Sequence, residues 1–276
     1  MKFPELSYAS PSDPFARRMV IRLVEGLSGR NKFLPLYAIW KKRVLDQCDT
    51  PMSDLLDLIR VTLSIKGEGW PVRSVPKGPL VIVANHPFGI GDGIALLSLA
   101  EKLGRPYKVM IHSELLKVPE IRPYSLPVDF SESREALQAN IATKKEALRL
   151  LAEGTTIVVF PAGGVATAER PLGQAVDLPW KTFVAKLIQA SKASVMPVYF
   201  EGQNGPLFHL VSKFSQTLRL SLLIREFKRL RGRTMYVRVG ALISFDQFEM
   251  QSDRKALTDE LYRRVHELAA EQQMAA

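Results

Sequence analysis

Short apolar runs alternate with longer amphipathic segments along most of this chain. The apolar runs are rich in β-branched residues and bounded by turn residues, which predicts buried strands. Strands are predicted at residues 79–84, 107–111, 155–160, 194–200 and 235–239, with a short strand or turn at 125–130. Apolar residues recur at helical spacing in the segments between them. Helices are predicted at residues 92–103, 133–152, 179–190, 218–230 and 253–273. This order predicts an α/β fold, with a mostly parallel central sheet flanked by helices.

The N-terminal part of the chain lacks this alternation. Residues 14–47 interleave basic with apolar residues, and Gly29 and Pro35 divide them into two helical pieces. Residues 51–65 carry apolar side chains at helical spacing and predict a further helix. A basic amphipathic hairpin is typical of an interfacial membrane anchor. The same pattern also fits a helix pair packed on the domain with its charges in solvent, and both interpretations stay open.

Composition indicates which cellular compartment and which classes of binding partner to expect. The single cysteine, Cys48, leaves no intrachain disulfide, and with no visible signal peptide it favours the reducing cytoplasm. No apolar run reaches the ~18 residues that span a bilayer, so we expect a protein that is soluble or lies on a membrane. A net charge of +10 and a pI of about 9.7 favour nucleic acid, a phospholipid surface or an acidic substrate as partner. We expect an N-terminal amphipathic helical extension at 1–66 and an α/β domain at 67–276.

Three predicted strands end in sequences that are unusual for loops. The strand ends are residues 85–87, 160–164 and 200–204. Ligands of open α/β sheets bind beyond the carboxyl ends of the strands. If these strands are neighbours in the sheet, their ends converge on one site.

The first strand end carries a candidate acid–base pair. His86 leaves the strand, a glycine-rich turn follows, and Asp92 comes after five intervening residues, at the start of the next predicted helix. An imidazole titrates near neutral pH, and a carboxylate on its second nitrogen fixes the tautomer and stabilises the imidazolium. The alternative is a structural histidine with Asp92 as a helix cap. The position at a strand end favours the general base.

Other common chemistries lack their motifs. The glycines at 89, 91 and 93 do not have dinucleotide-binding spacing, and no phosphate-binding loop or serine nucleophile elbow is present. Cys48 has no evident partner. His112, His209 and His266 lack metal-ligand spacing, so we expect no metal. No nucleic-acid-binding motif accompanies the basic charge.

Taken together, these segments resemble the PlsC-like glycerolipid and lysophospholipid acyltransferase superfamily, in its bacterial hemolysin-like branch. Asn85, His86 and Asp92 resemble its Asn-His-x4-Asp motif, with one additional residue in the loop. The second, third and fourth blocks of the family follow in order, at residues 126–130, 159–164 and 196–202.

The resemblance implies an enzyme that transfers a fatty acyl chain to the hydroxyl of a lysolipid. The donor would be an acyl thioester, acyl-CoA or acyl carrier protein, used as co-substrate without a further cofactor. His86 would deprotonate the hydroxyl and Asp92 would orient His86. The implied substrate-binding residues are Asn85, Phe88, Gly89, Asp129, Phe160, Pro161, Ala162, Gly163, Gly164, Glu201 and Gly202.

The third block departs from the family pattern. A glutamate and an arginine associated with the acceptor's phosphate are replaced by Ala162 and Val165. The missing cation could come from Arg134, Arg170 or Lys181, or the acceptor is not a phosphomonoester. Two alternatives stay open: an N-acyltransferase that makes an ornithine-type aminoacyl lipid, and a non-catalytic lipid-binding homologue.

The resemblance also implies partners and a location. We expect a lipid acceptor, an acyl donor such as acyl carrier protein, and an anionic membrane surface, with no nucleic acid. A second basic cluster at residues 219–238 could meet either anionic lipid or the acidic carrier protein. The expected location is peripheral, on the cytoplasmic face of the inner membrane.

Overall fold

Seven strands form one sheet, and helices pack on both of its faces. The computed structural model describes residues 3–9, 13–129, 131, 133–248 and 253–274. The strands are β1 Thr62–Lys66, β2 Leu80–Ala84, β3 Tyr107–His112, β4 Ser125–Val128, β5 Thr156–Val159, β6 Ser194–Phe200 and β7 Thr234–Val239. The α-helices are α1 Phe15–Leu27, α2 Leu34–Leu45, α3 Pro51–Leu58, α4 Ile90–Glu101, α5 Arg134–Ala152, α6 Phe183–Ser191, α7 Pro206–Ser212, α8 Gln216–Leu230 and α9 Arg254–Met274. Short 3₁₀ helices lie at Pro4–Leu6, Arg30–Lys32, Ser113–Lys117, Pro119–Tyr124 and Phe245–Phe248.

The strand order places β2 between β6 and β5. The full order is β1-β7-β6-β2-β5-β3-β4, and every pair is parallel except β6 with β7. In the register, Ile82 lies opposite Val158 on one side and Met196 on the other. The predicted α/β class is therefore confirmed, and the three strand ends of interest lie side by side.

The core has two halves, one on each face of the sheet. Every residue of β2 is buried, as expected for a central parallel strand covered on both faces. Ile82 packs in the half that contains Trp40 of α2 and Leu96 of α4. Val83 packs in the other half, with Leu187 of α6 and residues of α9. The N-terminal helices α2 and α3 thus contribute to the same core as the sheet.

The helix predicted at 51–65 is wrong in its second half. Helix α3 ends at Leu58, and Arg60 adopts a left-handed φ of 56°, which a helix cannot continue through. The chain then enters β1, whose Thr62 pairs with Thr234 of β7. The apolar residues beyond position 60 alternate in a strand. Sheet pairing with a distant segment therefore decides their conformation.

Two further differences concern short elements. The helix predicted from residue 179 begins only at Phe183, and α7 was not predicted.

The predicted division of residues 14–47 is confirmed, since α1 ends before Gly29, which has a φ of 88°. Pro35 lies in the first turn of α2, where proline is tolerated.

Helix α1 exposes much of its apolar surface. Its large apolar side chains in solvent are Phe15, Met19, Val20, Leu23 and Leu27. Among the helices of the described residues, none has both the length and the apolar composition needed to span a membrane.

Candidate active site

The side chain of Asn85 ties the ends of β2 and β6 together. Its Oδ1 accepts the backbone N–H of Phe200 at 2.7 Å, and its Nδ2 donates to the Phe200 carbonyl at 3.0 Å. Asn85 is buried, so water does not compete for these bonds. The two bonds hold the strand end from which His86 emerges.

His86 and Asp92 face each other across the glycine-rich turn. Nδ1 of His86 lies 3.1 Å from Oδ1 of Asp92. The distance suits a hydrogen bond but the alignment does not, so both atoms are buried without a hydrogen-bond partner. Catalytic hydrogen bonds are often poorly aligned until substrate binds. Oδ2 of Asp92 accepts the Phe88 N–H at 2.7 Å, which holds the carboxylate in place.

The imidazole is reachable, whereas its carboxylate partner is sealed. The side chain of His86 is 17% exposed and that of Asp92 is 0% exposed. Asp92 lies in the first turn of α4, where the helix dipole favours a negative charge. Phe160, just beyond β5, lies against the imidazole with ring centroids 4.1 Å apart and planes inclined by 30°. The phenyl ring and the carboxylate together restrict the orientation of the base.

The backbone of His86 is held by the segment at residues 161–181, the 161–181 loop. The His86 N–H donates to Oδ1 of Asp177 at 3.1 Å. The His86 carbonyl accepts the Ala166 N–H at 2.8 Å. Thr167 and Val176 pair in antiparallel fashion, which brings the two arms of the loop together. Both polar groups of the His86 main chain are therefore satisfied by one loop.

The predicted residues directly after β5 lie at the base of this loop. Pro161 and Ala162 are buried, and Gly163 is exposed with a φ of 67°. A Cβ on Gly164 would lie 3.0 Å from a methyl group of Leu178. Val165, which replaces the family's arginine, is also buried. No cation stands at this position, and the site here is apolar.

Two glycines of the predicted site stand where a side chain would collide. Gly89 has a φ of 78°, and a Cβ there would lie 2.9 Å from Leu223 and 3.0 Å from Val165. Gly202 has a φ of 106°, and a Cβ there would lie 2.9 Å from the ring of Phe88. Glycine is required at both positions by conformation and by space. The glycine-rich turn therefore packs directly on α8 and on the residues after β6.

The structure separates two other predicted residues from one another. Glu201 follows β6 and forms a partly buried ion pair with Arg238, with Oε1 2.5 Å from Nε. Asp129 follows β4, the last strand of the sheet, and β3 and β5 stand between it and the end of β2. Asp129 bonds with the side chain of Asn140, and the N–H of Ser131 lowers the pKa of its carboxyl. Phe130, the last residue of the second block, lies outside the described residues.

Sequence reasoning missed Asp177 and Trp180. Asp177 is buried, and its Oδ2 accepts the indole N–H of Trp180 at 3.0 Å. Burial raises the pKa of the Asp177 carboxyl, against its bonds from Trp180 and from the His86 N–H, which lower it. No family block covers residue 177, and no local periodicity marks it. Its contact with His86 spans 91 positions of the chain, so only the tertiary structure reveals it.

The cations proposed as substitutes lie at the surface. Arg134, Arg170 and Lys181 are all exposed. In the second basic cluster, Arg225 and Arg229 both pair with Glu226. Within the described part of the chain, no group of three His, Cys, Asp or Glu side chains gathers as a metal site would require.

Comparisons with known proteins place this chain among acyltransferases. The model of a family described as "Acyltransferase" matches residues 57–244, which include all three strand ends. A lyso-glycine lipid O-acyltransferase of Phocaeicola vulgatus is 27% identical over 213 residues, 71% of each chain. One of Bacteroides thetaiotaomicron is 29% identical over 208 residues, 71% of this chain and 72% of the relative.

A solved structure shares the fold. The crystal structure of the 1-acyl-sn-glycerophosphate acyltransferase PlsC from Thermotoga maritima matches with a TM-score of 0.53 and 14% identity. The match covers 93% of this chain and 98% of that one. At this identity the likeness concerns the fold alone.

Proposed function

The chain belongs to the PlsC-like acyltransferase family, and from that premise we propose that it acylates the hydroxyl of a lysolipid with His86 as general base. The observation that carries the proposal is the His86–Asp92 contact of 3.1 Å at the end of the central strand. A partly exposed imidazole backed by a buried carboxylate is the arrangement that general-base catalysis needs.

The proposed reaction needs no group beyond the two substrates and these side chains. His86 takes the proton of the acceptor hydroxyl, and Asp92 stabilises the imidazolium that forms. The oxygen attacks the thioester carbonyl and forms the new ester bond as the carbon–sulfur bond breaks. The imidazolium then returns its proton to the departing thiolate. Backbone N–H groups of the glycine-rich turn would stabilise the oxyanion, each donor being worth roughly 3 kcal/mol.

We propose an acceptor without a phosphomonoester. Ala162 and Val165 are buried and apolar where the family pattern has a glutamate and an arginine. The two relatives are named lyso-glycine lipid O-acyltransferases, which supports an amino-acid lysolipid and a hydroxyl rather than an amine. The donor is acyl-CoA or acyl carrier protein, and the net charge of +10 favours either anionic partner.

Activity is tested directly with purified protein. The acceptors are a lyso-glycine lipid and lysophosphatidate, each with labelled acyl-CoA or acyl carrier protein, and mass spectrometry identifies the product bond. We expect an ester on the lyso-glycine lipid and little product from lysophosphatidate. His86→Gln should lower kcat by about 1,000-fold or more, because the base is lost.

His112→Gln serves as the matched control, since His112 lies at the end of β3 and binds the N–H of Glu114. It should keep turnover. Wild-type levels of turnover in His86→Gln would contradict the proposed base, and an amide product would favour N-acylation.

We propose that the enzyme binds peripherally to the inner membrane through α1. The exposed apolar face of α1 includes Phe15 and Leu23, with Arg17 and Arg22 also in solvent. Apolar side chains flanked by cations fit an anionic lipid surface.

Vesicle binding tests this surface. Leu23→Glu should weaken sedimentation with phosphatidylglycerol vesicles by about tenfold, because an apolar contact is replaced by a repelled charge. Leu137→Glu is the matched control, since Leu23 and Leu137 are both 63% exposed and Leu137 lies on α5. Equal losses in the two variants would contradict a role specific to α1.

A further inference from the structure

The proposed chemistry leaves one buried carboxylate beside the base unused. Asp177 is 9% exposed and lies in the 161–181 loop. Its two oxygens accept hydrogen bonds from different donors, the backbone N–H of His86 and the indole N–H of Trp180. Both donors are neutral, so neither neutralises the carboxylate. Burying a carboxylate without a cation is costly, and such an arrangement is uncommon outside functional sites.

The position of Asp177 completes a clamp on the main chain of the base. On the other side of the same residue, the carbonyl of His86 accepts the Ala166 N–H. One loop therefore fixes both the N–H and the C=O of His86. Asp92 touches the imidazole, whereas Asp177 determines where the Cα of that imidazole stands. A base displaced by about 1 Å can lose about 100-fold in rate.

The surroundings of Asp177 connect the base to the C-terminal helix. Trp180 meets Tyr262 of α9 edge to face, with ring centroids 5.4 Å apart. The titratable groups that interact with the Asp177 carboxylate are His86, His266 and Tyr262 of α9, and Tyr199 of β6. The two histidines favour its ionised form.

We propose that Asp177 is a positioning residue for His86: from the distant 161–181 loop, its carboxylate anchors the backbone of the base through the His86 N–H. This assignment rests on the proposed function, because it gives Asp177 its purpose in acyl transfer. Asp92 remains the carboxylate that contacts the ring.

The test compares Asp177→Asn with the unchanged full-length enzyme. Asparagine keeps the shape and one acceptor oxygen but removes the charge. We expect kcat to fall by about tenfold to about 100-fold, with the KM of donor and acceptor changed less than threefold. The reason is that asparagine leaves one acceptor oxygen for two donors, so the His86 N–H loses its charged acceptor and the base is held less firmly.

Asp253→Asn is the matched control. Asp253 is an exposed aspartate that also accepts backbone N–H groups, those of Lys255 and Ala256 at the start of α9. It should leave kcat and both KM values unchanged. If Asp177→Asn lowers only the melting temperature, with kcat at the wild-type value, Asp177 is merely structural and the proposal is overturned.

A second measurement separates this proposal from the proposed function. NMR of ¹⁵N-histidine protein follows hydrogen exchange of the His86 backbone amide, assigned by its absence in His86→Gln. Exchange should be at least about tenfold faster in Asp177→Asn, because the amide loses its charged acceptor, and should keep the wild-type rate in Asp253→Asn. This readout needs no turnover, so an inactive wild-type enzyme would refute acyl transfer while the exchange rate still decides on Asp177. An unchanged exchange rate would overturn the proposed anchor.

Discussion

Two segments hold His86, and they differ in the distance along the chain from which they act. The glycine-rich turn supplies Asp92, six positions from the base, whose carboxylate contacts the imidazole and binds the Phe88 N–H. The 161–181 loop, which follows the neighbouring strand β5, supplies Ala166 and Asp177. These two residues bind the main chain of His86. The side chain of the base is therefore oriented locally, and its backbone is positioned by a distant segment.

This difference separates chemistry from placement. In this protein the residue that orients the ring comes from the turn that follows the base, and a short turn can bring only a few positions next to the imidazole. A residue that holds the backbone can come from anywhere the fold brings it. Packing joins the two segments, since Gly89 of the turn lies against Val165 of the loop. Mutations on the two sides should therefore differ in size and in kind.

The largest effect should come from the local side of the comparison. In Asp92→Asn, the amide oxygen can keep the bond from the Phe88 N–H, which turns the NH₂ group toward Nδ1 of His86. The imidazole must then accept at Nδ1 and carry its proton on Nε2, so it is no longer a base. We expect kcat to fall on the order of 100-fold to 10⁴-fold, as for the equivalent change in serine proteases.

Steady-state kinetics with circular dichroism would check this prediction. The spectrum should match that of the wild-type protein. A loss smaller than that of Asp177→Asn would reverse the comparison, because the distant carboxylate would then matter more than the local one.

An intermediate effect should appear where the two segments touch. Gly89→Ala places a Cβ 2.9 Å from Leu223 at a φ of 78°, so it combines overpacking with an unfavourable backbone. We expect the free energy of unfolding to fall by about 2 to 4 kcal/mol. Urea unfolding measures it.

Gly93→Ala is the matched control for stability. Gly93 lies in α4, and a Cβ there meets no atom within 4 Å. The substitution should stabilise the protein by about 0.5 to 1 kcal/mol. Similar destabilisation by both variants would mean that the contact between turn and loop is not tight.

The smallest effect concerns the pH dependence of protein stability through His209, which binds the 161–181 loop at Ala168. His209 of α7 accepts the Ala168 N–H at Nδ1, at 3.3 Å, while its Nε2 lies 3.0 Å from the Asn204 carbonyl. Burial lowers the pKa of His209. As the pH falls below about 6.5, the unfolded chain therefore binds more protons at His209 than the folded protein does. The free energy of unfolding declines from there until the pH reaches the lower pKa of His209 in the folded protein.

The stability lost through His209 cannot exceed about 1.4 kcal/mol per pH unit. Thermal melts between pH 7 and pH 5 should show a decline that is shallower in His209→Gln than in the wild-type protein. His112→Gln should keep the wild-type slope. An unchanged slope in His209→Gln would show that protonation of this histidine does not loosen the loop.

Much of the fold could be predicted from the pattern of residues. β2, β5 and β6 are short apolar runs with turn residues on both sides, and their burial in a central parallel sheet leaves little alternative. The helix predicted at residues 51–65 was wrong beyond Leu58. The apolar residues after Arg60 also fit a strand, and β7 is its pairing partner. Local periodicity cannot choose between two patterns when a distant strand decides.

The candidate site likewise contains some residues that local sequence predicts and others whose contacts depend on the tertiary structure. His86 and Asp92 could be predicted because a strand end, a turn and a helix start follow one another directly in the sequence. Asn85 was predicted at the site, but its bonds to Phe200 depend on the register between β2 and β6. Asp129 was predicted there too, and the sheet places it at the far edge, beyond two intervening strands.

By itself, the sequence determined the α/β class, the order of the strand ends, the family and the spacing of the base from its carboxylate. These properties depend on short-range periodicity and on residues a few positions apart. The tertiary structure alone decided that the 161–181 loop returns to His86, and that Asp177 and Ala166 hold its backbone. Closing about 90 residues of chain onto one peptide depends on packing of the whole sheet and its helices, which no local pattern encodes.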